Sequence, residues 1–287
     1  MASPRPFDQL SSVHKLYGEI WGTTDPEFDA EIAKSRDPRS PDLLFDYTDT
    51  LGLGAGSRIL DIGSRDAIHA IELASRYGCR VIAADPVPFH TELATHRLAE
   101  ASAKARLLVE LSDAAIEHMP FEDASFDLVW ARDMLNHVAL RRGLAESFRV
   151  LKPGAAMLIF QTFATPFMEP REARRIYEIH SIVPENMDPD YLEEIAESVG
   201  FMIETVDVVS SEWREFRVES GLDDIGQDLM TVARMRRAQA ELVERFGRNR
   251  YEATIADLIW GIYLLLGKLS SSIYLLRKPS LSGTENG

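Results

Sequence analysis

The stretch ILDIGSRDAIHAIELA, Ile59–Ala74, decides the fold. Its opening, ILDI, is the apolar run of a buried strand, and Asp61-Ile62-Gly63 makes a turn. The chain then continues as an amphipathic helix. A strand, a glycine turn and a helix in this order open a nucleotide-type cofactor site, because backbone N–H groups and the positive end of the helix face the ligand. Such sites often carry two further glycines, at positions occupied here by Arg65 and Ala67. A small side chain is tolerated where φ stays negative, so Ala67 is a mild departure. Arg65 is not small, and its side chain is expected to turn away from the ligand or toward the ligand's carboxylate.

Outward from this stretch, strands and helices alternate. Strands are expected at Arg58–Ile62, Arg80–Ala84, Leu107–Leu111, Phe126–Trp130, 155–163 and 201–209, with helices over Ala67–Tyr77, Phe89–Lys104 and Leu140–Val150. The strands are apolar runs, as a parallel sheet covered by helices on both faces requires. The expected fold class is α/β, a doubly wound seven-stranded sheet with N-terminal helices and a helical insertion before the last strand. Residues 1–50 read as an N-terminal helical cap, 51–210 as the Rossmann-like cofactor-binding core, 211–268 as a helical insertion or lid, 269–279 as the last strand and 280–287 as a disordered tail.

Bulk properties exclude several classes of function. Hydrophobic residues make up 45% and charged residues 27% of 287, an ordinary soluble composition. Lys and Arg number 31 against 46 Asp and Glu, a net charge of -15, so neither nucleic acid nor an anionic membrane finds a positive footprint. Cys79 is the single cysteine and forms no internal disulfide. With an opening, MASPRPFDQL, that lacks a signal peptide's apolar core, this sets the expectation of a cytoplasmic protein.

Two acids stand at strand ends. Asp61 can accept from a bound ammonium or hydroxyl, and Asp85 closes VIAADP, where a carboxylate suits the paired hydroxyls of an adenosine ribose. Gly63 and Asp85 stand about 20 residues apart, as in sites of this type. ILDIG, VIAADP, IEHMPFEDASFDLVWARDMLNHV (Ile116–Val138) and SFRVLKPGAAMLIF (Ser147–Phe160) occur in order. In this order and spacing the chain resembles class I S-adenosylmethionine-dependent methyltransferases of the small-molecule type, over about residues 55–210 plus the last strand. The resemblance implies S-adenosylmethionine as cofactor. It would be held by Asp61, Gly63, Ser64 and Arg65, by Asp85 and Pro86, and by Ala131 and Arg132. Many relatives have an acid at the position of Ala115. Here Asp113 is expected to meet the adenine amino group, while Ile116 packs on the ring. A helix bearing Tyr17 and Trp21, four apart on one face, would close over the cofactor in related enzymes.

Chemistry is expected after the fourth strand. His137 is the candidate general base, and helical spacing would let Asp133 hold its imidazole. Glu212 is the second candidate base. Gln161, Thr162 and Phe163 after the fifth strand, Trp213 and Arg214 after the sixth, and Trp21 are candidates for the acceptor pocket. No metal ligand set is expected. The expected partners are a small molecule, natural-product-like and of secondary metabolism, and a second copy of the chain as a homodimer. The acidic surface favours a neutral or cationic acceptor; a prenyl diphosphate would need Arg132, Arg171 and Arg214. A non-catalytic relative of the same fold stays open, as does a nicotinamide-dependent Rossmann oxidoreductase, although the latter usually keeps the G-x-G-x-x-G loop.

Overall fold

The computed structural model describes residues 9–22, 24–34 and 36–280. The chain divides into two units after Pro38. The first contains α1 (Gln9–His14), a π-helical turn (Lys15–Ile20) and α2 (Pro26–Ile32). Asp25 caps α2, accepting from the N–H groups of Glu27 and Phe28 at 3.1 Å, and Pro26 fits the first helical position, where no N–H is needed.

The second unit starts at Arg39 and takes in α3 (Leu43–Asp49), although residues 1–50 read as one cap. The reason is burial. Leu44 and Phe45 of α3 are 2% and 6% exposed against the sheet's core, each worth about 1.5–3 kcal/mol. There follow β1 (Arg58–Ile62), α4 (Ile68–Tyr77), β2 (Arg80–Ala84), α5 (Pro88–Glu100), α6 (Ala103–Leu108), β3 (Val109–Ser112), β4 (Phe126–Arg132), α7 (Leu140–Val150) and β5 (Leu151–Ala164). After these come α8 (Pro170–His180), α9 (Pro189–Val199), β6 (Met202–Ser210), α10 (Glu212–Glu219), α11 (Ile225–Arg237), α12 (Gln239–Phe246), α13 (Arg248–Leu265) and β7 (Leu269–Arg277). The single helix expected over Phe89–Lys104 is two, because Ala101 is extended and Ser102 caps a new helix through the N–H of Ala105.

The sheet has seven strands in the order β3-β2-β1-β4-β5-β7-β6. It is mixed: β7 runs antiparallel to both β5 and β6, while β1 to β5 are parallel. β6 departs from the continuous apolar pattern. It is an edge strand whose alternate residues Val206 and Val208 are exposed. Period-two alternation sends Leu60, Ile62, Val129 and Ile159 to one core, and Ile59, Leu128, Trp130 and Leu158 to the other. Among the described residues no helix is long and apolar enough to cross a membrane. The tail expected to be disordered lies, from residue 281, outside the described residues.

Candidate functional site

Strand order reverses between β1 and β4, and ligands of open α/β sheets bind at the carboxyl ends of the strands at that point. A cleft of about 880 Å3 opens there. Asp61, Gly63, Ser64 and Arg65 line it from the first loop, Asp85 and Pro86 from the end of β2, and Arg132, Asp133 and His137 from the end of β4.

The first loop keeps the backbone of a glycine-rich turn with only one glycine. Gly63 has φ +73°, and a Cβ there would lie 2.6 Å from Met134 Cγ. Arg65 and Ala67 also take positive φ, +50° and +58°, so the expectation of a negative φ at Ala67 is corrected. Neighbouring bonds hold them. The N–H groups of Gly63 and Ser64 donate to Ala84 O at 2.8 and 3.1 Å, and that of Arg65 donates to Asp85 Oδ2 at 2.9 Å. Left-handed backbone at a residue with a Cβ costs roughly 1–2 kcal/mol, partly offset by glycine's larger unfolded-state entropy. The Arg65 side chain is exposed. Arg65→Gly is therefore expected to stabilise the ligand-free protein by about 0.5–1 kcal/mol, read as a higher melting temperature. A lower melting temperature would show that the side chain holds the loop. Ala67 is fully buried in the core, so its glycine variant loses packing as it relieves strain.

Asp61 is 2% exposed, and its Oδ2 has no hydrogen-bond partner. Burial pushes its carboxyl up to about 7, opposed by the N–H of Ala70 and by Arg132. Asp85 is engaged by three donors: the N–H groups of Arg65 and Val87, and His90 Nδ1 at 3.0 Å. A carboxylate offers about four acceptor sites, so it retains room for a hydroxyl. Burial lowers the proton affinity of the Arg132 guanidinium. Its Nη1 stands 3.3 Å from His69 Nε2, and its Nε has no partner. Burial, then Arg132, lowers the His69 imidazole to about 4, so His69 is neutral and accepts.

Asp133 and His137 do not form the expected helical pair. Asp133 has φ +49°, and the segment after β4 is a 3₁₀ turn at Leu135–His137. The Asp133 carboxylate accepts from the N–H of Thr162 at 3.0 Å, while His137 Nδ1 donates to Ser181 O at 3.3 Å. Burial raises the Asp133 carboxyl above the usual range, with Thr162 opposing. His137 lines the cleft alone, whereas Asp133 and Arg132 line both the cleft and an adjoining side pocket of about 290 Å3.

Phe160, Thr162, Trp213, Arg214, Arg217 and Trp260 line that side pocket. The expected Gln161 and Phe163 do not: they face the opposite side of β5, fully buried, Gln161 against Asn136 and Phe163 against Tyr274. A strand alternates faces, so of the three consecutive candidates only Thr162 turns to this pocket. Trp213 packs edge-on to Phe160 at 4.1 Å beneath the Arg132 guanidinium at 4.7 Å. Asp223 bridges Arg214 and Arg217 at 2.6 and 2.7 Å. Gly261 makes room for Arg214, whose guanidinium a Cβ there would strike. Glu212 is not available as a base. Arg39 Nε bonds it at 2.8 Å and holds its carboxyl below the usual range, and the same guanidinium reaches Asp207 at 2.7 Å.

Four further expectations are corrected or moved. Ile116 is 1% exposed and packs into the core beside Gly143, not on a ligand ring. Ala131 is likewise a core residue. Asp113 lines a separate shallow hollow that shares Pro86 with the cleft. Tyr17 and Trp21 sit in the first unit as an edge-to-face pair 5.0 Å apart, both exposed. His69, His90, Met134, Val138 and Glu117, which also line the cleft, were not anticipated. His69 and His90 sit early in the helices after the two strand ends, a placement that could have flagged them. Among the described residues no group of three His, Cys, Asp or Glu could hold a metal ion.

A sequence family described as a methyltransferase domain matches residues 60–159. A dimethylglycine N-methyltransferase of Parasynechococcus marenigrum (strain WH8102) is 28% identical over 285 residues, covering 92% of this chain and 91% of that protein. A 27-O-demethylrifamycin SV methyltransferase of Amycolatopsis mediterranei (strain S699) is 33% identical over 132 residues, 45% of this chain and 48% of its own. Among solved structures, geranyl diphosphate C-methyltransferase from Streptomyces coelicolor A3(2), in complex with S-adenosyl-L-homocysteine, superposes with a TM-score of 0.60 at 14% identity, covering 82% of this chain and 75% of that one.

Proposed function

We propose that this class I S-adenosylmethionine-dependent methyltransferase methylates a small amine that also bears an anionic group, with an N-methylated amino acid as the type. Bound S-adenosylmethionine supplies a methyl group activated on sulfur. The chain supplies orientation, a dry pocket and a place for a proton. Asp61 fits the cofactor's ammonium, because its buried Oδ2 lacks a partner. Asp85 fits one ribose hydroxyl through its remaining acceptor site, and the N–H groups opening α4, which has no side-chain cap, fit the methionine carboxylate.

The observation that carries the acceptor class is the side pocket's charge. Arg132, Arg214 and Arg217 line it against one lining carboxylate, Asp133; Asp223, outside the lining, pairs with both Arg214 and Arg217, which leaves one positive charge in excess. This basic pocket lies in an acidic chain, so net charge is a poor guide to the acceptor; Arg171, the third arginine expected for an anion, lines a different cavity. Phe160, Trp213 and Trp260 offer aromatic faces to an alkylated ammonium. An aliphatic ammonium must lose its proton to expose a lone pair, and Asp133 takes that proton at the junction of the two cavities. In this proposal α10 to α13 form the cap, with Trp213, Trp260 and Leu264 turned to the acceptor.

Release of S-adenosylhomocysteine tests the proposal with glycine, sarcosine, dimethylglycine, N,N-dimethylglycinamide and geranyl diphosphate as acceptors. Dimethylglycine is expected to exceed its uncharged amide at least tenfold in kcat/KM. Arg214→Ala is expected to raise the acceptor KM roughly tenfold to a hundredfold, since a charged hydrogen bond contributes about 1.5–3 kcal/mol, with cofactor affinity unchanged. Equal turnover of the amide, or activity on geranyl diphosphate alone, rejects the amino-acid assignment.

A further inference from the structure

We infer that the chain carries a second binding site, behind the acceptor cap, for a small molecule with an anionic head and an apolar body. A cavity of about 510 Å3 lies between α8 and the helices α11 to α13, a size typical of sites that enclose a small molecule. It is separate from the cofactor cleft and the side pocket, sharing no lining residue with either. α13 stands between them: Trp260 and Leu264 line the side pocket, while Ile255, Ala256, Ile259 and Tyr263 line this cavity.

The floor is apolar. Ile176, Ile255 and Ala256 are each 3% exposed, and Tyr251 is 4% exposed. The rim is basic, with Arg171 and Arg175 from α8 and Arg236 from α11. Arg171 and Arg175 are four apart, so their like charges share one helix face and repel. Among the described residues none of the three makes an ion pair, and all three line the cavity. The carboxylate lining this cavity does not serve them. Glu172 is bonded to Lys268 and to Tyr263, and Lys268 holds its carboxyl below the usual range. Three exposed guanidiniums thus converge above an apolar hollow whose acid is already neutralised. A carboxylate, sulfate or phosphate head supplies the missing charge, while the Ile and Tyr walls take an aliphatic or aromatic body.

Calorimetric titration with decanoate and with decanol, in the presence of saturating S-adenosylhomocysteine, tests the site. Decanoate is expected to bind once per chain and at least tenfold more tightly than decanol. The exposed triple variant Arg171→Ala, Arg175→Ala, Arg236→Ala is expected to weaken decanoate at least tenfold, with decanol binding and cofactor affinity unchanged. Ala256→Trp, shown folded by its melting temperature, is expected to abolish binding of both probes by filling the hollow. Undiminished decanoate binding in the triple variant overturns the assignment, as does displacement of decanoate by S-adenosylhomocysteine. Retention on phosphatidylglycerol vesicles without binding of soluble decanoate overturns it too.

Discussion

Asp61→Asn is expected to make the ligand-free protein more stable at pH 8 and to weaken S-adenosylmethionine binding by roughly tenfold to a hundredfold. Both effects have one cause. The Asp61 carboxyl is raised by burial to about 7, from an unperturbed 3.8. Between these values the folded chain binds a proton that the unfolded chain has released, so stability falls as pH rises from about 4 to about 7. Above that window the folded state carries the full cost of a buried carboxylate, of order 2–4 kcal/mol. An isosteric amide removes that charge. For a domain of this size each kcal/mol shifts the melting temperature by about 2–4 °C. The same amide would lose the charged hydrogen bond proposed between Asp61 and the cofactor's ammonium, worth about 1.5–3 kcal/mol. Melting curves from pH 5 to 8 and calorimetry with S-adenosylmethionine check both halves. A variant that melts below the wild type at pH 8, or binds the cofactor equally well, contradicts the assignment.

Asp133→Asn is expected to lower kcat by about 10²–10⁴-fold, the usual effect of removing a general base, with cofactor affinity near wild type. The amide oxygen can still accept from Thr162 N–H, so the loop after β4 keeps its tether. Burial raises the Asp133 carboxyl, so its basic form is lost as pH falls through that raised value. Wild-type kcat should therefore decline on the acid side, and the variant's residual rate should lack that limb. His137→Ala is expected to cost far less, because His137 is exposed and bonded to Ser181 O. The reverse pattern, with turnover lost in the His137 variant and kept in the Asp133 variant, would make His137 the base.

The sequence determined what depends on local chemistry. ILDIG and VIAADP name a buried strand and its polar end, and β1, β2 and α7 fall where the periodicity puts them. Asp61, Gly63, Ser64, Arg65, Asp85, Pro86, Arg132, Asp133 and His137 gather in one cleft because parallel strands end side by side. Residues at successive strand ends are therefore neighbours whatever the rest of the chain does.

Only the tertiary structure decided matters of facing and partnership. A strand's two faces are both apolar in a covered sheet, so nothing local told Phe160 and Thr162 from Gln161 and Phe163. Glu212 looked like a free acid until Arg39, 173 positions away, folded onto it. The direction of β7 and the exposure of β6 depend on which strand lies beside which, a long-range pairing that composition does not encode. Arg65 and Ala67 carry positive φ because Asp85 and Ala84 hold the loop from the next strand. Local propensity favours glycine there; the bonds that make other residues tolerable come from a distant part of the chain, and a sequence shows only its own neighbours.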